Sequence, residues 1–156
     1  MTSIKIGDSL PSFSLPDKNG ILQSIDEIRK GRNLVLYFYP KDETLVCTKQ
    51  ACGFRNDYAE FERNNCEIVG ISSDPPESHR QFIDHHHLPF ILLSDVNNEV
   101  RTLLGVPRDL LGLISGRYTY VINKKGIIIH IFNDYLFASK HITESLKALE
   151  NEQGDH

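Results

Sequence analysis

Apolar residues follow two spacings along this chain. Short, nearly continuous apolar runs predict buried β-strands, and they occupy residues 34–39, 67–72, 89–93, 118–122 and 127–132. Elsewhere apolar residues recur every three or four positions, which predicts helices with one apolar face. Such helices are expected at about 45–61, from the Pro-Pro pair to about 87, at 96–104 and at about 138–150, with a brief helical turn at 25–30.

Turn residues mark the boundaries between these segments. Residues 4–24 contain short apolar segments that are broken by prolines and by Asp17-Lys-Asn-Gly20, which predicts an N-terminal β-hairpin. Asn123-Lys-Lys-Gly126 predicts a second hairpin between the last two strands. Asp74 and Asp95 each precede a helical spacing, so we expect both to be N-caps.

The order of the elements predicts the fold class. Strands and helices alternate before a final hairpin and helix, which predicts one α/β domain over residues 1–156, with a central mixed β-sheet flanked by helices and an N-terminal β-hairpin extension. The strand at 34–39 is followed by a helix with a cysteine at its start, the arrangement of thioredoxin-like folds. Residues 106–116 are assigned to a loop, and we expect the polar tail 151–156 to fray.

Charge and length exclude several classes of partner. The 156 residues include 17 Lys and Arg against 21 Asp and Glu, for a net charge of −4, and neither sign forms a long block. This balance argues against nucleic-acid binding and against an anchor on anionic membranes. No apolar run approaches the roughly 18 residues of a membrane span, and the first residues form no long apolar segment. We therefore expect a cytoplasmic protein.

The candidate chemistry lies in the cysteines Cys47, Cys52 and Cys66. An odd number argues against a secreted disulfide framework, and the C-x4-C spacing of the first two fits neither a C-x-x-C redox pair nor a zinc ribbon. Cys47 begins a predicted helix, where backbone N–H groups and the helix dipole favour thiolate. The alternative is a buried core thiol. For Cys52 the alternative is an inert residue within the helix. Cys66 is expected to be a structural residue, and the alternative is that it acts as a second resolving thiol.

Three consecutive histidines, His85, His86 and His87, raise the question of a metal site. Neighbouring positions of a regular helix point about 100° apart, so three adjacent histidines cannot converge on one ion. We interpret them as a solvated helix end, and we expect no metal or other cofactor.

The segment Pro40 to Cys47 contains the pattern P-x-x-x-T-x-x-C, and this pattern resembles the active site of the peroxiredoxins. Tyr37-Phe-Tyr-Pro-Lys-Asp-Glu-Thr44, with Cys52 five residues after Cys47, is most similar to the bacterioferritin-comigratory, or Q-type, branch. Other segments agree in order, including Arg117-Tyr-Thr-Tyr-Val-Ile122, and the similarity spans roughly residues 4–149.

The resemblance implies a thioredoxin-like fold and a thiol peroxidase for hydrogen peroxide and organic hydroperoxides. By this resemblance Cys47 is the peroxidatic cysteine, and Pro40, Thr44 and Arg117 complete its site. Arg117 is expected to stabilise the thiolate, Thr44 to hydrogen-bond through its hydroxyl and Pro40 to shield the sulfur from water. Cys52 matches the resolving cysteine, a thioredoxin-like donor is the implied reductant, and we expect a monomer or weak dimer.

Helix geometry adds a requirement to that cycle. Residues five apart in an intact α-helix have Cα atoms about 8 to 9 Å apart, whereas a disulfide needs less than about 7 Å. We therefore predict that the first turns of this helix unwind before Cys47 and Cys52 join. Gly53 should ease the opening, since glycine costs about 1 kcal/mol relative to alanine inside a helix.

Several positions depart from the usual Q-type pattern. Leu45-Val46 replaces a common Pro-Gly, Gln50 stands where Glu is frequent, and Asn123 stands where Asp is usual. Two alternative functions stay open: a thioredoxin-fold protein thiol–disulfide oxidoreductase, and a non-catalytic binding or chaperone-like module.

Overall fold

A computed structural model describes residues 3–106, 108–109, 114–115, 118–133 and 138–154 of the chain. In chain order the elements are β1 (Ser14–Pro16), β2 (Leu22–Ser24), α1 (Ile25–Arg29), β3 (Asn33–Phe38), α2 (Leu45–Asn56), α3 (Tyr58–Arg63), β4 (Cys66–Ser72), α4 (Pro76–His86), β5 (Ile91–Ser94), α5 (Glu99–Leu104), β6 (Arg108–Asp109), β7 (Ile114–Ser115), β8 (Tyr118–Ile122), β9 (Ile128–Asn133) and α6 (Ala138–Gly154). None of the helices in these ranges combines the length and apolarity that crossing a bilayer requires.

The central sheet has five strands in the order β5-β4-β3-β8-β9. Strand β3 runs parallel to β4 and antiparallel to β8, and Phe38 at its end pairs with Ile71 and with Tyr118. All six residues of β3 are buried, as its continuous apolar run predicts for a strand covered on both faces. The carboxyl end of β3 therefore lies in the middle of the sheet.

Two apolar clusters cover the two faces of the sheet. Val35 and Tyr37 pack with residues of α2, α4 and α6, whereas Leu34, Leu36 and Phe38 pack with residues of α1 and α5. This division follows from the alternation of side chains along a strand. The predicted α/β architecture, with a mixed sheet between helices, is confirmed.

The N-terminal hairpin is also present. Strands β1 and β2 are antiparallel, with Ser14 opposite Ser24. Asp17 shapes the turn between them, because its carboxylate accepts hydrogen bonds from the backbone N–H groups of Asn19 and Ile21.

The predicted helix at 45–61 is in fact two helices that meet at Asp57. That residue has φ −102° and ψ 12°, outside helical values, so α2 ends at Asn56 and α3 begins at Tyr58. Asn and Asp are weak helix formers because their side chains compete for backbone hydrogen bonds. The apolar face nevertheless continues across the break, since Phe61 is fully buried.

Neither predicted N-cap is confirmed. The N-cap of α5 is Asn98 and not Asp95, although the carboxylate of Asp95 accepts hydrogen bonds from the N–H groups of Val100 and Arg101, at 3.1 and 2.9 Å, and so holds the start of that helix. The N-cap of α4 is Pro75 and not Asp74. The carboxylate of Asp74 instead serves the loop after β3, as described below.

Two further boundaries differ from prediction. The stretch 106–116, which we assigned to a loop, contains the short antiparallel strands β6 and β7. Strands of two residues are too short to give an alternating apolar pattern. Helix α6 runs to Gly154, beyond the predicted end at Glu150, since Glu and Gln in this stretch are good helix formers.

Candidate active site

Cys47 is the third residue of α2, just after the loop that leaves the central strand. Its side chain is only 1% exposed. Thr44 is the N-cap residue, but within the described structure its side chain makes no capping hydrogen bond, and its hydroxyl donates to the carbonyl of Lys41 at 2.9 Å. The first N–H groups of α2 have no acceptor within the helix. These N–H groups and the positive end of the helix dipole stabilise negative charge at the start of a helix.

Cys52 lies on the same helix and is partly exposed. All three cysteines are reduced thiols. Because α2 is continuous from Leu45 to Asn56, the helix geometry that separates Cys47 from Cys52 by about 8 to 9 Å applies to the structure as it stands.

The other predicted site residues have separate outcomes. Pro40 is half-buried at the start of the loop, and Thr44 is exposed at its end, three residues before Cys47. Their expected roles at the thiol stay predictions. Tyr118 opens β8 and pairs with Phe38 at the carboxyl end of β3. Arg117 lies outside the described residues, and its expected place beside the thiolate stays a prediction.

A buried polar network holds the loop before Cys47. Asp42 is 4% exposed, and its carboxylate accepts a hydrogen bond from the hydroxyl of Tyr39 at 2.5 Å and from that of Ser78 at 2.9 Å. The same carboxylate lies 2.7 Å from Nδ1 of His79, whose side chain is completely buried. The network therefore joins the loop to α4.

The geometry constrains the hydrogen bonds of this network. Nε2 of His79 lies 3.0 Å from the carbonyl oxygen of Leu93, which can only accept, so Nε2 carries a proton. The hydroxyls of Tyr39 and Ser78 already donate to the Asp42 carboxylate. We therefore expect Nδ1 of His79 to donate to it as well, so that Asp42 and His79 form a buried ion pair.

A second contact ties the same loop to β4. The backbone N–H of Asp42 donates to the carboxylate of Asp74 at 2.8 Å, and the hydroxyl of Ser72 donates to the same oxygen at 2.6 Å. Directly after this anchored residue, Glu43 adopts φ +63°, which is uncommon for a residue other than glycine. Such backbone geometry persists where surrounding contacts enforce it.

Sequence reasoning missed the Asp42–His79 pair. One signal was available, since His79 shares the spacing of the apolar face of α4 with Phe82 and Ile83, and all three are buried. A titratable residue on an apolar face requires a buried partner. The identity of that partner depends on how α4 packs against the loop, which the sequence pattern does not specify.

Two other buried polar side chains stand near the cysteines. Gln50 of α2 is completely buried, and neither atom of its amide has a hydrogen-bond partner among the described residues. Burial raises the pKa of the Tyr37 hydroxyl, and a thiolate at Cys47 acts in the same direction. Tyr37 therefore stays a neutral phenol beside the reactive helix.

Cys66 has a different environment. It is 2% exposed, and its thiol donates to the carbonyl of Glu67 at 3.3 Å. Burial raises the pKa of this thiol, as does the nearby carboxylate of Glu67. Because the thiolate is the nucleophile, this environment supports the structural role expected for Cys66.

The chain was compared with known proteins. Residues 6–131 match the AhpC/TSA family. The chain is 48% identical over 145 residues to the chloroplastic peroxiredoxin Q of Populus jackii, covering 93% of this chain and 68% of that protein. It is 47% identical to the corresponding protein of Triticum aestivum, covering 93% of this chain and 66% of that protein. The chain thus spans about two thirds of the length of these relatives.

One solved structure is also similar to this chain. The crystal structure of peroxidoxin BcpB from Mycobacterium tuberculosis superposes with a TM-score of 0.88 at 32% identity, covering 95% of this chain and 97% of that one.

These relatives correct one expectation and establish the family. The cytoplasmic location expected from the sequence is contradicted, because the curated relatives are chloroplast proteins. The matched segment covers most of the chain, and the relatives are nearly half identical to it. The chain therefore belongs to the AhpC/TSA family, among the Q-type peroxiredoxins, which are thiol-dependent peroxidases.

Proposed function

We propose that this chain reduces hydrogen peroxide and small alkyl hydroperoxides, with Cys47 as the attacking thiolate and Cys52 as the thiol that resolves it. The observation that carries the proposal is the position of Cys47, a buried thiol in the first turn of α2 at the end of the central strand, in a chain of this family. Pro40 would limit the access of water, and Thr44 would hydrogen-bond through its hydroxyl oxygen, because the hydroxyl proton is donated to the carbonyl of Lys41. Arg117 would stabilise the developing negative charge.

The proposed cycle has three balanced steps. The Cys47 thiolate attacks a peroxide oxygen, the O–O bond breaks, and water or alcohol leaves after taking a proton, so that the sulfur becomes a sulfenic acid. The Cys52 thiolate then attacks the sulfenic sulfur, so that an S–S bond forms and the S–O bond breaks, and the leaving hydroxide takes a proton and departs as water. A thioredoxin-like dithiol reduces that disulfide by exchange and is itself oxidised. We propose that the chain acts as a monomer or weak dimer.

The second step requires helix α2 to open at its start. The buried amide of Gln50 becomes accessible to water when these first turns open.

Intact mass after one equivalent of hydrogen peroxide tests both cysteine roles. We expect the wild type to lose two hydrogens, Cys52→Ser to gain one oxygen as a sulfenic acid, and Cys47→Ser to remain unchanged. Cys66→Ala is the matched control and should form the disulfide as the wild type does. Continued peroxide consumption by Cys47→Ser would show that the proposal is wrong. Insulin reduction without peroxide consumption would favour the thiol–disulfide oxidoreductase instead.

A further inference from the structure

Glu43, His85 and His86 form a cluster of metal-binding groups beside the loop that leads into α2. One carboxylate oxygen of Glu43 lies 2.9 Å from Nδ1 of His85, and the other lies 2.8 Å from Nε2 of His86. All three ligand atoms lie within 4.8 Å of one another. The cluster joins the loop before Cys47 to the C-terminal end of α4.

Two adjacent histidines converge here because they use different ring nitrogens. His85 presents Nδ1, close to its backbone, whereas His86 presents Nε2, at the far side of the ring. Their rings lie side by side, with centroids 4.2 Å apart and planes 35° apart. The sequence argument against three adjacent histidines assumed a regular helix and no ligand from another segment. At the last turn of α4 two of them meet a carboxylate from the loop.

Packing holds one ligand of this cluster in place, and the other two ligands are open to solvent. The ring of His86 packs edge-on against Phe82, and the guanidinium of Arg55 donates to the carbonyl of His86 at 2.7 Å. The side chain of His86 is 18% exposed, whereas those of His85 and Glu43 are 66% and 44% exposed. An ion can therefore enter from solvent and keep water in its remaining positions.

The donor set suits a zinc-type ion. Two imidazoles and one carboxylate with an open fourth position are a common set for Zn²⁺, and they also suit Co²⁺ and Ni²⁺. Tetrahedral zinc with bonds of about 2.0 to 2.1 Å needs ligand atoms about 3.4 Å apart. With Oε1 of Glu43 as the ligand atom, its distance of 3.3 Å to Nδ1 of His85 already fits, and its distance of 2.8 Å to Nε2 of His86 must open by roughly half an ångström. This is a small movement for the exposed side chain of Glu43.

We propose that Glu43, His85 and His86 bind one divalent transition-metal ion of the zinc type, and that the bound ion holds the loop before α2 against α4. Glu43 precedes Cys47 by four residues, so the ion fixes the segment from which α2 must unwind. Occupancy of the site therefore slows formation of the Cys47–Cys52 disulfide. This last consequence rests on the proposed function, whereas metal binding does not.

Binding is tested with Co²⁺ and Zn²⁺ on the folded Cys47→Ser/Cys52→Ser variant, so that the reactive thiols do not take the ion. We expect one equivalent of Zn²⁺ by calorimetry and visible Co²⁺ absorption of a four-coordinate site. His85→Asn and Glu43→Gln should each weaken binding at least tenfold. His87→Asn is the matched control, because His87 is adjacent, exposed and outside the cluster. Equal affinity in His85→Asn and His87→Asn, or no stoichiometric binding, would overturn the site.

The effect on the helix is tested by the rate of disulfide formation after one equivalent of peroxide. Zn²⁺ should slow this rate at least threefold in the otherwise native chain and less in His85→Asn, which separates the site from zinc bound by the thiols. An equal slowing in both proteins would contradict the clamp even where the binding experiment succeeds. Absence of any disulfide without zinc would instead count against the proposed function, and the binding result would stand.

Discussion

Asp42 illustrates how one residue can set the position of a reactive loop. Its carboxylate pairs with the buried His79, and its backbone N–H donates to Asp74. A buried ion pair is not in itself strong evidence for stability, because desolvation of both charges opposes their attraction. Removal of one partner is nevertheless costly, since the other charge is left buried and uncompensated. The pair therefore fixes the loop conformation more than it adds stability.

We expect Asp42→Asn to destabilise the fold by about 3 kcal/mol, since the imidazolium of His79 loses its counter-charge. Urea unfolding of the reduced protein measures this loss. Peroxide consumption should also fall, because the loop before Cys47 loses an anchor. Ser78→Ala is the matched control, because it removes a single hydroxyl bond to the same carboxylate and should cost about 1 kcal/mol. Equal losses in the two variants would contradict a buried ion pair.

At the scale of elements, helix α2 must be stable enough to hold Cys47 and weak enough to release it. Gly53 contributes to both requirements. A Cβ at this position would lie 2.8 Å from Cδ1 and 3.2 Å from Cγ1 of Ile142, so glycine also allows α2 to approach α6. The sequence predicted only the first effect of Gly53, its low helix propensity. Its contact with α6 required the structure.

The two effects of Gly53 can be separated in an Ile142→Ala background, which removes both atoms that a new Cβ would meet, at 2.8 and 3.2 Å. In this background Gly53→Ala should stabilise α2 by about 1 kcal/mol. Disulfide formation after one equivalent of peroxide should then be roughly fivefold slower than in Ile142→Ala alone. Stopped-flow mixing followed by acid quench and mass analysis gives both rates. If they are equal, opening of α2 does not limit the resolving step.

At the scale of the whole molecule, the sequence predicted what local patterns determine. Continuous apolar runs located the strands of the central sheet, and the P-x-x-x-T-x-x-C pattern located the loop and Cys47. Two features depended on packing between distant segments and were not predicted. Asp42 and His79 are 37 residues apart in the sequence, and they meet because α4 packs over the end of β3. Glu43 meets His85 and His86 for the same reason.

Acid-base behaviour of the whole fold follows from buried groups that must remain neutral. Burial raises the pKa of the Cys66 thiol and of the hydroxyls of Tyr37 and Tyr39. In each case the folded state holds its proton more tightly than the unfolded chain. The stability contributed by each group is complete below its unfolded pKa, about 8.5 for cysteine and 10 for tyrosine. It is lost as the pH rises above that value.

The free energy of unfolding should therefore fall as the pH rises above about 9, by up to about 1.4 kcal/mol per pH unit for each such group. Urea unfolding in the presence of a reductant, at intervals between pH 8 and pH 11, measures this slope. Cys66→Ala should give a shallower decline, because one of the protons is missing. The cavity left by the substitution lowers stability equally at every pH, so it does not change the slope.

Parallel curves for the two proteins would show that Cys66 ionises as easily in the fold as in the unfolded chain. In that event its inertness toward peroxide would rest on inaccessibility alone, and the alternative role of Cys66 as a second resolving thiol would regain support.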